Sequence, residues 1–153
     1  MALQIINADI TKLKADAIVN AANTELRMGG GVCGAIFRAA GAEELQQACG
    51  RLAPIKTGEA VITPAFALPA RYIIHTAGPI YSSQEAEKCE KQLKSAYTSA
   101  LRLAAEKGCK SIAFPLISSG IYGYPREAAK KAAVVAIQEF LKDNEMEVIL
   151  ALL

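Results

Sequence analysis

Short apolar runs of strand length alternate along this chain with longer stretches of helical periodicity, and few architectures accept that alternation. Strands are expected at Leu3–Ile6, at Ala17–Val19 (ended by Asn20), at Ala60–Thr63, Tyr72–Thr76, Ser111–Phe114 and Glu147–Leu152. Helical spacing runs over Val32–Ala40, stopped by Gly41, and over Glu43–Cys49, stopped by Gly50. It returns over Glu85–Lys107, where Gly108 suits the residue just past a helix end, and over Arg126–Lys142, where Pro125 sits near the first turn. Strands interleaved with helices predict an α/β layer fold. The strands near Ala60 and Tyr72 read as neighbours joined by a proline-punctuated loop. With 153 residues, of which 52% are hydrophobic, the chain reads as one domain with a sizeable core, ending on a strand without a closing helix.

Two glycine-bearing loops stand out, each at a strand-to-helix transition. Gly29, Gly30 and Gly31 lead into Val32-Cys33-Gly34, six residues after Asn20-Ala21-Ala22-Asn23. Backbone N–H groups at such a helix entry form an anion site. Ser118-Ser119-Gly120-Ile121-Tyr122 repeats the logic before the fourth helix. The pair suits a ligand with two phosphates. Gly29, Gly31 and Gly34 match the G-x-G-x-x-G spacing of dinucleotide folds, but no strand precedes them directly and Arg51 stands where an acid is required. A Rossmann reading is rejected, and no Walker-type loop is present.

Other residues carry two readings each. Asn20 and Asn23 close a strand's C-terminal end, where their amides suit ribose hydroxyls or satisfy a turn. Asp9 after the first strand can accept from an exocyclic amine or cap a helix. Neither Ser118 nor Ser119 sits in a nucleophile elbow. His75, mid-strand between Ile74 and Thr76, reads as a structural histidine.

The net charge of +2, with scattered Lys and Arg, gives no footprint for duplex nucleic acid. There is no apolar run of membrane length and no signal-peptide pattern at the N-terminus, so no membrane association and a cytoplasmic location are expected. Cys33, Cys49, Cys89 and Cys109 form no C-x-x-C pair; they read as free thiols, and no metal or cofactor is expected.

The segments "ADAIVNAANTELRMGGGVCGAIFRAAG", "TGEAVITPAFALPARYIIHTAGP" and "IAFPLISSGIYGYP" together resemble the macrodomain family, over nearly the whole chain and in order. The likeness is to the MacroD-type branch, whose members bind ADP-ribose; several hydrolyse O-acetyl-ADP-ribose or remove mono-ADP-ribose from acidic side chains. The resemblance implies a three-layer α/β/α sandwich around a mixed, six-stranded sheet. It implies that Asp9 and Ile10 meet adenine and that Asn20 and Asn23 face the distal ribose. Gly30, Gly31 and Val32 would supply the loop over the diphosphate and distal ribose, and Ser118, Ser119, Gly120, Ile121 and Tyr122 would grip the phosphates from the other side. Asn23 is linked to turnover in this family. One departure stands out: the hydrolytic branch carries Val-Asp-Gly and then Ile-His, where this chain has Val32-Cys33-Gly34 and then Ile36-Phe37. That aspartate helps orient the attacking water in the family. Its replacement by Cys33 leaves two classes open, a hydrolase of reduced activity and a non-catalytic ADP-ribose reader. Binding of RNA or poly(A) would use the same features but lacks a basic stripe.

Overall fold

A computed structural model describes residues 3–153. Six strands form one sheet: β1 (Leu3–Asn7), β2 (Ala17–Ala22), β3 (Ala60–Pro64), β4 (Tyr72–Ala77), β5 (Ser111–Pro115) and β6 (Glu147–Leu152), in the order β1-β6-β5-β2-β4-β3. All neighbours are parallel except β3 and β4, which pair antiparallel as the short proline-rich connection requires. Pro64 sits in β3, an edge strand, where a missing N–H breaks no central ladder.

The buried strands carry apolar side chains on both faces, because helices cover both. Alternation assigns Ala17, Val19, Ile74, Ile112, Phe114, Val148 and Leu150 to one face. There they meet α3 (Ala86–Glu106) and α4 (Arg126–Leu141). Ile18, Ile73, Ala77, Ala113 and Ala151 point to the other face, against α1 (Gly31–Ala40) and α2 (Ala42–Gly50). The result is the expected three-layer sandwich around a mixed sheet. Small residues Ala129, Ala133 and Ala136 of α4 face Ala96, Ala100 and Ala104 of α3 in one cluster, so the two helices lie close. Gly41 and Gly108 follow α1 and α3 closely, as their sequence positions predict.

Tyr97 of α3 ties this layer to the strand ends. Its fully buried hydroxyl donates to the Pro115 carbonyl (3.1 Å) and accepts from the Ile117 N–H (3.0 Å). The exit of β5 is thereby fixed where the second glycine loop begins. The element boundaries differ from sequence expectation by at most one residue, except that β2 runs three residues beyond Val19, to Ala22, and takes Asn20 into its interior.

Candidate functional site

The parallel strands all point their C-terminal ends the same way, and a cavity of about 570 Å³ opens there. Ala8 after β1, Ala22 of β2, Gly78 after β4, Pro115 of β5 and Ala151 of β6 form its floor. Small residues at these ends leave the room. This is the edge at which open α/β sheets bind ligands, and the volume falls in the range of small-molecule sites.

One wall is the first glycine loop. Helix α1 starts at Gly31 with Gly30 as its cap residue, and no side chain caps it. Its first helical bond runs from the Gly34 N–H to the Gly30 carbonyl (3.2 Å), so the N–H groups of Gly31, Val32 and Cys33 have no helical acceptor. Two glycines here have different reasons. Gly31 takes φ +57, which favours glycine. At Gly34 a Cβ would lie 2.6 Å from the Gly29 carbonyl oxygen, so the loop can fold over the helix only if residue 34 has no side chain.

The opposite wall is the second loop, an arch closed at its base. The Tyr124 N–H donates to the Ser118 carbonyl (2.9 Å), and the Gly123 N–H to that of Gly120 (3.0 Å). Ser118 has φ +67. Its hydroxyl donates to the Pro79 carbonyl (2.8 Å), and the Ser119 hydroxyl to that of Leu116 (2.7 Å). Both serines line the cavity, but their hydroxyls brace the arch. Among the described residues, the N–H groups of Gly120, Ile121 and Tyr122 have no acceptor. Ile121, 89% exposed, reaches across towards Gly30: its Cδ1 lies 3.9 Å from where a Gly30 Cβ would be. Two sets of unpaired N–H groups thus line opposite sides of one space.

At the β1 end, Asp9 accepts from the Thr11 N–H (3.0 Å) and hydroxyl (2.7 Å). These bonds, the hydroxyl's first, hold its carboxyl below the usual range and keep it ionised. Asp9 therefore caps the short 3-10 turn at Ile10–Lys12 and also lines the cavity. Ile10 beside it is buried.

Asn23 and Cys33 converge on one acceptor. The Arg27 carbonyl receives Asn23 Nδ2 at 2.9 Å and Cys33 Sγ at 3.9 Å, and Asn23 Oδ1 accepts the Arg27 N–H at 3.0 Å. Both side chains line the cavity, and each keeps unused hydrogen-bonding capacity. Tyr122 also lines it; burial, and then the neighbouring Cys33, hold its phenol above the usual value.

Asn20 is the correction. It was expected at a strand end facing a ribose; it is instead 1% exposed inside β2 and does not line the cavity. In register with His75 on β4, its Nδ2 donates to His75 Nδ1 (3.0 Å), while Nε2 meets the Thr63 hydroxyl (3.0 Å). Its Oδ1 has no partner. The other candidate ligand-site residues, Asp9, Ile10, Asn23, Gly30 to Cys33 and Ser118 to Tyr122, all line the cavity.

Sequence reasoning missed Arg126, the first residue of α4. It is the one cationic side chain in the lining among the described residues, with Asp9 the one anionic. It missed the alanines at the strand ends and Gly78, where a Cβ would collide with the side chains of Ser118 and Ile117. Their small size was the available signal. Among the described residues no helix is long and apolar enough to cross a membrane.

A family model described as Macro domain matches residues 19–133. ADP-ribose glycohydrolase MACROD2 of Xenopus laevis is 51% identical over 136 residues, 89% of this chain and 32% of that protein. A macrodomain of Oceanobacillus iheyensis solved with ADP superposes with TM-score 0.92 at 44% identity, covering 98% of this chain and 82% of that one. The Trypanosoma brucei macrodomain in complex with ADP-ribose superposes at 0.89 with 37% identity, covering 99% and 63%.

Proposed function

The chain belongs to the Macro domain family, and from that premise we propose that it binds ADP-ribose in this cavity and hydrolyses O-acetyl-ADP-ribose or ADP-ribosyl esters on protein at a reduced rate. The observation that carries the reading is the pair of facing N–H arches, Gly31–Cys33 and Gly120–Tyr122. They match a diphosphate in charge and in number. Asp9, ionised at one end, accepts from the adenine amine, and Ile10 packs beside the base. Asn23, near the first arch, meets the distal ribose. The relative named as an ADP-ribose glycohydrolase and the neighbours solved with ADP and ADP-ribose support the same ligand. The four cysteines are all free and buried, which suits the reducing cytoplasm we assign to it.

For the ester reaction, a water held by the Asn23 amide and the ligand's own phosphate attacks the distal ribosyl centre or the acyl carbon. Its oxygen forms the new bond, the ester oxygen leaves with its electron pair, and the water's proton passes to solvent. Charge building on the ligand is met by N–H groups already in place, which need no reorganisation. Cys33 is where the rate is lost. A thiol is a weak hydrogen-bond acceptor beside a carboxylate, so it orients water poorly. That same residue favours the second reading, a reader that binds without turnover.

Calorimetry tests binding: ADP-ribose should bind more tightly than ADP, and ADP more tightly than AMP, since each fragment loses an anchored group. Equal affinity for AMP and ADP-ribose refutes the two-arch model. Turnover is tested with Cys33→Asp. Cys33 is the third residue of α1, where a carboxylate suits the helix dipole. The substitution should raise hydrolysis by about 10²–10⁴-fold, the usual size of a general acid–base contribution. A companion Phe37→His is unsuitable, because Phe37 is a 1% exposed core residue. Fast native turnover that Cys33→Asp slows would overturn the role given to Cys33.

A further inference from the structure

We propose that Arg126 is a ligand-contacting specificity residue, a cation that meets the diphosphate and favours polyphosphorylated adenosine ligands over neutral nucleosides. The inference rests on the ADP-ribose reading above and extends it to a residue outside both glycine loops.

Three observations carry it. Arg126 lines the cavity, and no other cationic side chain among the described residues does. No carboxylate among the described residues lies within 4 Å of its guanidinium, so no protein ion pair competes with a ligand for it. As first residue of α4, uncapped by any side chain, it also sets a positive charge on the positive end of a 16-residue helix, with Glu127 the acid of the same turn. A local rule broken inside a cavity marks a functional position. The diphosphate is assigned as its target by chain geometry. The Tyr124 N–H bond to Ser118 (2.9 Å) folds the second arch back on itself, so α4 starts at the foot of the arch whose N–H groups face the phosphates. A cation there attracts phosphate oxygens through its charge, across solvent.

The test compares native protein with Arg126→Gln and Arg126→Lys by calorimetry, using ADP-ribose, ADP and adenosine, with melting of each unliganded protein. Arg126→Gln should weaken ADP-ribose and ADP by about five- to ten-fold, the size of one solvated charge pair at close range. Adenosine affinity should not change. Arg126→Lys should stay within about two-fold of native. The unliganded Gln variant should melt at the native temperature or up to about 4 °C higher, because a misplaced charge is removed. Three results overturn the proposal: an unchanged affinity for ADP-ribose, an equal loss for adenosine, or a lysine variant as weak as the glutamine one. If native protein itself fails to bind ADP-ribose, the underlying functional reading fails instead, and the two failures are thereby separated.

Discussion

Replacing each of two helical glycines by alanine should have opposite consequences, and the difference follows from two local environments. Gly50 ends α2, is exposed, and has nothing within 4 Å of a built Cβ. Gly50→Ala only reduces the entropy of the unfolded chain, which stabilises by about 0.5–1 kcal/mol. For a domain of this size that raises the melting temperature by about 1–4 °C. Gly34 has the same propensity gain available, but its Cβ would stand 2.6 Å from the Gly29 carbonyl oxygen and 3.1 Å from Arg38 Nη1. The arginine end can swing away; the carbonyl is backbone. Carbon–oxygen contacts settle near ~3.3 Å, so the Gly29 peptide must retreat by about 0.7 Å. Overpacking of that kind costs about 1–3 kcal/mol. Against a propensity gain of about 1 kcal/mol the net loss is about 0–2 kcal/mol, a melting temperature lower by up to about 8 °C. The functional effect should be larger than the stability effect. The Gly29 peptide adjoins the first arch, and a misplacement approaching 1 Å reduces productive binding and turnover by roughly 10–10²-fold. Thermal melting and ADP-ribose calorimetry on both variants measure the two effects. If Gly34→Ala binds like native protein and gains the same stability as Gly50→Ala, the claim that this glycine shapes the site is wrong.

Asp9 separates into two roles by paired variants. Asp9→Asn keeps an oxygen to accept from Thr11, yet should weaken ADP-ribose about ten-fold or more by loss of a charge-assisted bond; Asp9→Ala should add lower thermal stability, and native-like affinity of the Asn variant by calorimetry would leave Asp9 as a cap alone. His75 predicts an acid weakness. Burial holds its imidazole at about 4, below the ordinary 6.5, so stability is complete above about pH 6.5 and is lost as pH falls towards 4. The gap corresponds to about 3 kcal/mol, and urea denaturation near pH 5.5 should show uptake of about one proton on unfolding; a pH-independent midpoint between 7 and 5 would refute it.

The elements were readable because their signals are local. Alternation in Val148 to Leu150, the alanine stripe of α4, and Gly108 beyond α3 each act over a few residues, and each ends within a residue or two of expectation. The cavity lining was readable where backbone chemistry sufficed, at Gly30–Val32 and Ser118–Tyr122. It failed where the outcome depends on a distant partner. An asparagine after three apolar residues looks like a strand end, but His75, 55 residues later, supplies a polar neighbour and lets β2 continue through Asn20. Gly34 is set by a carbonyl five residues earlier whose path no propensity describes. Arg126 reaches the cavity only because the arch from Ser118 to Tyr124 closes on itself.

The two cysteines on the α1–α2 side of the sheet show why proximity of reactive groups does not make a site. Cys49 Sγ lies 3.7 Å from His75 Nε2, and His75 Nδ1 takes the Asn20 amide, so thiol, imidazole and amide are grouped as in a cysteine nucleophile with its base and orienting residue. No spacing in the sequence announces this group. It is nevertheless inert. Cys49 is fully buried, and burial pushes its thiol up to about 11 while it holds His75 down at about 4. With the thiol's value above the imidazole's, the proton stays on sulfur and no thiolate–imidazolium pair forms at neutral pH. Neither Cys49 nor His75 lines the cavity. The group works as polar filling between β2, β4 and α2, and its one unpaired atom, Asn20 Oδ1, is the residual strain of that arrangement. Cys33 lies on the same side of the sheet, but on the first turn of α1, where its sulfur shares the Arg27 carbonyl with Asn23 at the cavity wall. Access therefore decides the matter between them. A substitution at Cys49 should register in stability alone, and one at Cys33 in what the cavity does with its ligand.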